Sequence, residues 1–478
     1  MTAKHSTNPW LVLVLICMAQ FMVVLDATIV NVALPSIQKD LGLSEANLQW
    51  IVNAYTLVFG GFLLLGGRAG DLLGRKRLFL IGLVIFTGAS LLNGLAWSSG
   101  ALIGFRALQG LGAALISPAA LSIISVTFEE GKERARALGV WAAIAIGGSA
   151  FGLVLGGWLT QSFSWPWIFF VNVPVGAVTF LAAARFVPES KDEHAHRGYD
   201  IGGAVTVTGG LMALVYAIVK AETKGWGSST TIGFFVLAAA LLAAFFVIET
   251  RAKEPLVRLS IFRVRSLATA NIAMFFVGCG MFAMFFFITL YLQKVLGYKP
   301  LEAGVSVLPF TGGIMLSAGI ASNLAPRLGV RPVAGVGLIL TVLGMLLFAR
   351  MPVDGSYASD VLPAMIITAL GMGAVFMPLT LVATTGLKDE DQGLASGLFN
   401  TSQQIGGALG LAILSTIAAG QTHGPGKAAL VHGFHYAFVG AAAFVFAALV
   451  TMVALLRKHH VARIEQAAQQ GDVMPVGI

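Results

Sequence analysis

The chain has 478 residues, of which 57% are hydrophobic and only 11% charged, with a mean hydropathy of +0.85. Soluble domains carry about 25% charged residues, so this composition excludes an ordinary soluble body and points to a membrane protein. The net charge of +8 is not gathered on a polar face as a nucleic-acid binder requires, and Cys17 and Cys279 both lie in apolar runs, which argues against a disulfide framework.

A run of about 20 apolar residues crosses a bilayer as a helix. The chain offers fourteen, at 10–34, 47–66, 78–97, 100–122, 136–160, 168–187, 201–219, 231–249, 267–292, 303–322, 333–350, 361–384, 394–418 and 434–456. They do not alternate with period two, which excludes a membrane β-barrel. The first run lacks a strongly basic leader and a small-residue cleavage site, so it reads as a retained span rather than a signal peptide. With both chain ends in the cytoplasm, 22 of the 30 Lys and Arg fall on the inner side, as the positive-inside rule expects. The expected fold is therefore an all-α polytopic membrane protein.

The spans repeat weakly. Gly139, Gly148 and Gly152 have the spacing of Gly397, Gly406 and Gly410, 258 residues later. Gly110, Gly112 and Pro118 match Gly371, Gly373 and Pro378, at offsets of 260 or 261. Spans one to six would then be related to spans nine to fourteen. This predicts a six-helix bundle over 1–190, inserted helices 7 and 8 with their loops over 191–262, a second six-helix bundle over 263–457 and a cytoplasmic tail over 458–478. Duplicated six-helix halves are how major facilitator transporters are built, with substrate between the halves near the midplane.

Two ionisable residues sit well inside the predicted spans, Asp26 and Arg106. At 1.5 Å per residue Asp26 lies about 24 Å from the inner face, and Arg106 about 21 Å from it. A lone charge at the bilayer centre costs about 2.5–3.5 kcal/mol, so two at one depth are expected to meet. They read either as a static ion pair between spans one and four or as a titratable carboxylate whose proton is exchanged during transport. The run from Gly67 through Asp71 to Gly74, Arg75, Lys76 and Arg77 joins spans two and three on the inner side. Its glycines permit a tight turn, and Asp71 can accept hydrogen bonds from a helix N-terminus or an arginine.

That run resembles the signature loop of the major facilitator superfamily. Leu25-Asp26-Ala27-Thr28-Ile29-Val30-Asn31-Val32-Ala33-Leu34-Pro35 resembles the first-span motif of its fourteen-helix drug:proton antiporter branch. Leu102 to Gly112, with Arg106, Gln109 and Gly110, is similar to the proton-transfer motif of span four. Gly139, Gly148, Gly152, Leu153, Gly156 and Gly157 resemble the antiporter motif of span five, and Trp165 to Pro174 the entry to span six. The likeness covers nearly the whole chain. It implies two six-helix bundles plus two inserted helices, alternating access, proton coupling through Asp26 and Arg106, and gating by Gly67, Asp71, Gly74, Arg75, Gly148, Gly152, Gly156 and Gly157. It also implies a multi-pass protein of the bacterial plasma membrane, monomeric in the bilayer. Leu153 stands where the motif usually has Pro, and Pro166 where it usually has Arg. The second half has lost the charges, with Ile367 expected in the place of Arg106 and Pro326 roughly in that of Asp71.

Span ten, Ser306 to Ala321, carries no acid, so the pocket reads as apolar and aromatic with amide donors, suited to amphipathic small molecules. Polar residues in spans usually face the protein interior. Trp50, Asn53, Tyr55, Gln109, Asn400, Gln403 and Gln404 are the candidate substrate-binding residues. The histidines fall in loops, tails or span ends with no clear ligand set, so no metal is expected. No phosphate-binding loop is present, and one acid with one base does not make a catalytic cluster. The expected activity is proton-driven antiport of drug-like or antibiotic molecules, with no cofactor beyond the proton gradient. Proton-coupled transport of a metabolite or lipid precursor is the alternative.

Overall fold

A computed structural model describes residues 8–128, 131–191, 200–252, 255–384 and 389–456. Among the described residues, fourteen helical segments are long and apolar enough to cross a membrane, and no strand occurs. Their main helices are α1 (Pro9–Leu41), α2 (Trp50–Leu73), α3 (Arg75–Gly94), α4 (Ser99–Thr127), α5 (Lys132–Ser162), α6 (Asn172–Phe186, whose span begins with the short helix Trp167–Phe170), α7 (Ile201–Lys224) and α8 (Ser229–Arg251). The second series is α9 (Arg265–Leu290), α10 (Leu308–Leu328), α11 (Val330–Phe348), α12 (Leu362–Thr384), α13 (Asp389–Gln421) and α14 (Lys427–Leu455). Fourteen crossings return the chain to the face it started from, called the near face below; the other is the far face. The predicted tail over 458–478 lies outside the described residues.

Local chemistry sets the helix ends. Asn8 caps α1 by accepting the Trp10 N–H, Pro9 takes the first helical position, and Gly42 closes the helix in the left-handed region, where glycine carries no side-chain penalty. Apolar periodicity ends α1 near residue 34, but the helix runs on through Pro35 to Leu41. Its polar last turns are held from outside: Trp165 Nε1 donates to Asp40 Oδ2 at 2.7 Å. Likewise α4 continues past Pro118 to Thr127.

Each half is built by the same pairings. In the first, α1 packs on α5, α4 on α2 and α3, and α3 on α6. In the second, α9 packs on α13, α12 on α10 and α11, and α11 on α14. Glycines let these backbones approach, as in other helix pairs whose interfaces are lined with small residues. A Cβ on Gly110 would strike the Tyr55 carbonyl of α2, and one on Gly112 would strike α3 at Phe86. In the second half Gly371 abuts α11 at Thr341, and Ala369 is the residue that meets Gly313 of α10.

This packing corrects the pairing read from glycine spacing. The residue equivalent to Gly112 is Gly371, and the one equivalent to Gly110 is Ala369, so Met365 rather than Ile367 takes the place of Arg106. The rotation of each helix about its axis decides the match, and glycine spacing alone cannot report it. The same reasoning sets Gly280 opposite Asp26, since Gly280 faces α14 as Asp26 faces α6. The charge pair has no counterpart at these positions of the second half.

The halves meet near the far face. Gln293 Nε2 donates to the Val32 carbonyl at 2.8 Å, from a π-helical turn that extends α9 over Tyr291–Val295. The Leu301 N–H donates to Gln161 Oε1 at 3.3 Å. A Cβ on Gly157 would strike the Pro300 carbonyl, and one on Gly304 the Leu153 carbonyl. The inserted hairpin α7–α8 covers the seam between α2 and α13. Thr416 of α13 bonds to the Ile218 carbonyl at 3.5 Å, and Tyr216 meets Trp50 of α2 with ring centroids 6.2 Å apart.

Candidate functional site

Asp26 and Arg106 meet in the centre of the first bundle, and both are at most 1% exposed. Arg106 Nη1 donates to Asp26 Oδ2 at 2.5 Å and to Gln109 Oε1 at 2.8 Å. Its Nε donates to the Ile51 carbonyl of α2 at 3.1 Å. The guanidinium lies over the Tyr55 ring, 4.4 Å from its centroid, and 5.7 Å from that of Phe169. Aromatic faces attract a cation through their quadrupole, so these rings hold the group in place of water.

The carboxylate on α1 is caged by donors from two further helices. Its Oδ1 accepts from Gln109 Nε2 of α4 at 2.7 Å and from Asn172 Nδ2 of α6 at 3.1 Å. Asn93 of α3 donates to Gln109 Oε1 at 2.7 Å. Asn172 also donates to Ser90 Oγ, and Ser90 to the Phe169 carbonyl. Sequence reasoning missed Ser90, Asn93 and Asn172. Their signal is a polar residue inside an apolar run, as it is for Asn53, and Asn172 sits in the span-six motif itself. Two atoms beside this network, Tyr55 Oη and Asn93 Oδ1, are buried without a hydrogen-bond partner.

The predicted substrate-binding residues fall in three places. Tyr55 and Gln109 belong to the charge pair. Trp50 packs at the far end of α2 against the inserted hairpin, and Asn53, fully buried, donates to Gln49 Oε1 at 3.3 Å. Asn400, Gln403 and Gln404 lie on α13 and are half-buried. Asn400 donates back to the Ser396 carbonyl of its own helix at 3.1 Å. Gln404 sits against Gly60 of α2 across the seam, and the Gln403 carbonyl against Gly278 of α9.

Three of the four expected gating glycines of α5 line α1, while Gly157 faces the second half at Pro300. A Cβ on Gly148 would press on Phe21, one on Gly152 on Thr28 and the Leu25 carbonyl, and one on Gly156 on the Ile29 carbonyl. This stripe therefore runs along the stretch of α1 that carries Asp26. At the near face, Gly67 lies beside Pro118, and Gly74 has φ +105 between α2 and α3. Asp71 is in the last turn of α2, and its side chain lies outside those described. Glu189, which sequence reasoning missed, caps α3: its carboxylate accepts the N–H groups of Lys76 at 3.1 Å and Arg77 at 3.2 Å. The Arg75 N–H donates to the Ser190 carbonyl at 2.9 Å. An anionic group there also opposes the positive end of the helix dipole. No group of three or more metal-ligating side chains occurs among the described residues.

Two helical bundles of like construction, with a caged ion pair inside one of them, define a polytopic membrane transporter. Residues 16–411 match the Major Facilitator Superfamily, and the chain belongs to that superfamily. It is 40% identical to the puromycin resistance protein pur8 of Streptomyces alboniger over 97% of this chain and 93% of that one. It is also 40% identical to the cephamycin export protein CmcT of Amycolatopsis lactamdurans, over 94% and 93%. Among solved structures, a peptide transporter POT in complex with sulfate has a TM-score of 0.68 at 15% identity, covering 95% of each chain. A bacterial homologue of the lysosomal transporter Spinster, inward-facing and occupied, has a TM-score of 0.65 at 17% identity, covering 93% of this chain and 96% of that one.

Proposed function

We propose that this protein exports amphipathic, antibiotic-like molecules across the bacterial plasma membrane in exchange for protons, by alternating access. The observation that carries the reading is the Asp26–Arg106 pair, a carboxylate buried in the bundle whose donors come from α4 and α6 while it rides on α1. A relative shift of α1 against α4 removes donors from the carboxylate, which then takes a proton in preference to remaining an unpaired buried charge. Restoring the contact expels that proton. The glycine stripe of α5 supports the motion, because it offers α1 a smooth surface on which to slide. Each proton moving inward supplies about 2.3 kcal/mol per 100 mV. The near face is cytoplasmic in this reading, in keeping with its excess of Lys and Arg. The named activities of the two 40%-identical relatives support antibiotic cargo.

The test uses vesicles carrying the full chain, an imposed pH gradient and puromycin as first probe, with a panel of antibiotics to follow. Wild type is expected to accumulate a probe with matching proton flux, and Asp26→Asn to lose gradient-driven accumulation while still reaching the membrane folded, at a lower unfolding midpoint because Arg106 loses its partner. Full proton-driven transport by Asp26→Asn would overturn the coupling role. No antibiotic flux by wild type would favour a metabolite or lipid precursor as cargo.

A further inference from the structure

A groove between the start of α3 and the end of α6 takes no part in the charge pair. The two helices touch where a Cβ on Gly176 would strike Thr87. They are tied again at the near face, where Lys76 Nζ donates to the Ala184 carbonyl at 2.8 Å. Between these contacts they part and leave a cavity of about 470 Å³. From α3 it is lined by two rows, Lys76–Leu80–Val84 and Arg77–Ile81–Ile85, and from α6 by Phe180. Residues four apart share a helix face, so each row carries a cation at the near face and apolar side chains below it, over roughly 13 Å. Ile81 and Val84 are 41% and 57% exposed, and neither helix packs on the second half among the described residues. The cavity therefore opens on the outer wall of the first bundle.

The third charged group at the mouth is Glu189, and its oxygens are taken up by main-chain donors. Its Oε1 accepts the N–H groups of Lys76 and Ser190, each at 3.1 Å, and its Oε2 that of Arg77 at 3.2 Å. Lys76 uses one of its three donors on Ala184. The Arg77 side chain is exposed, and its guanidinium makes no hydrogen bond or ion pair among the described residues. Two cations against one carboxylate leave the mouth positive. A guanidinium presents a planar fork of donors that matches a phosphate.

We propose that this cavity binds one anionic phospholipid, its phosphate on Arg77 and Lys76 and the first part of an acyl chain along Leu80, Val84 and Phe180. Both cations lie in the first turn of a membrane-spanning helix, at the level where lipid headgroups lie. Basic side chains there attract anionic lipid over the surface as a whole; the cavity adds a bounded place for one chain beneath them. The positive mouth selects the headgroup, because a zwitterionic lipid brings a further cation to it. Once bound, the lipid bridges α3 and α6 from outside, as Glu189 does from the chain itself. The site is independent of cargo and of proton coupling.

Native mass spectrometry of the full chain in detergent, with phosphatidylglycerol or phosphatidylcholine titrated in, counts the lipids retained. Wild type is expected to hold a first phosphatidylglycerol about fivefold more tightly than phosphatidylcholine, the effect of about one surface cation. Arg77→Gln should lose that preference, and Arg77→Lys, which keeps the charge, should retain part of it. Val84→Trp should weaken binding by filling the groove with no change of charge. Arg263→Gln, which removes an exposed cation outside the cavity, should leave the preference unchanged. Equal retention of the two lipids by wild type, or a preference undiminished in Arg77→Gln or Val84→Trp, overturns the proposal. So does a wild-type dimer that Val84→Trp dissolves, which would place a second copy in the groove. Thermal unfolding gives a second readout, because a ligand of the folded state raises the midpoint. Phosphatidylglycerol should raise that of wild type more than that of Arg77→Gln, and equal rises would count against the site.

Discussion

The identity of Asp26 and Arg106 matters through burial. Each is fully removed from solvent, and the pair is held by charge-assisted hydrogen bonds, which are about twice as strong as neutral ones. Removing one partner of such a pair leaves an uncompensated buried charge and costs about 3–5 kcal/mol. Arg106→Met should therefore lower the thermal unfolding midpoint strongly when Asp26 is intact. In an Asp26→Asn background the same change should cost much less, because no carboxylate is stranded. Unfolding of the four proteins of this cycle measures the coupling, and additive effects would contradict a direct pair. Gln109 and Asn172 act through the carboxylate, so their amides orient it rather than neutralise it.

Between elements, the turn from α2 to α3 shows how a motif loop is held. Gly74 occupies φ +105, a conformation costing about 1–3 kcal/mol for other residues. A Cβ there would also come within 2.7 Å of Glu189 Oε1. Gly74→Ala is expected to destabilise by about that strain, and Glu189→Ala by about 0.5–2 kcal/mol through loss of the α3 cap. The double variant should cost less than the sum, since removing Glu189 clears the space the new methyl needs. Unfolding midpoints in detergent provide the check. The loop thus couples α2 and α3 to the end of α6, and any rearrangement that moves α6 must carry the start of α3 with it.

Across the whole molecule, the two halves touch near the far face through Gln161–Leu301 and Gln293–Val32, while the inserted hairpin bridges α2 and α13 beside the seam. Alternating access requires the far-face contacts to part. Gln161→Cys with Leu301→Cys should be bridged by a short, reducible bifunctional thiol reagent, since the Gln161 side chain already reaches the Leu301 main chain. The cross-linked protein is expected to stop transporting and the reduced protein to recover. The native Cys17 and Cys279 are buried and should not interfere. Unimpaired transport by the cross-linked protein would show that these contacts need not open.

How much of this is legible in the chain alone follows the range of each cause. Hydropathy is summed over adjacent residues, so the spans can be read without a fold. The cost of burying a charge depends on depth, and depth follows from residue count, so Asp26 and Arg106 can be matched in the same way. Pairings set by the rotation of a helix cannot. Asn172 reaches Asp26 across 146 residues and Glu189 reaches Lys76 across 113, and neither spacing has a local signature. Met365 rather than Ile367 stands opposite Arg106 because packing, not glycine spacing, fixes the register of α12. The sequence by itself determined which groups are costly to bury in a membrane, and the tertiary structure decided which neighbours offset that cost, because only packing brings distant helices to one point.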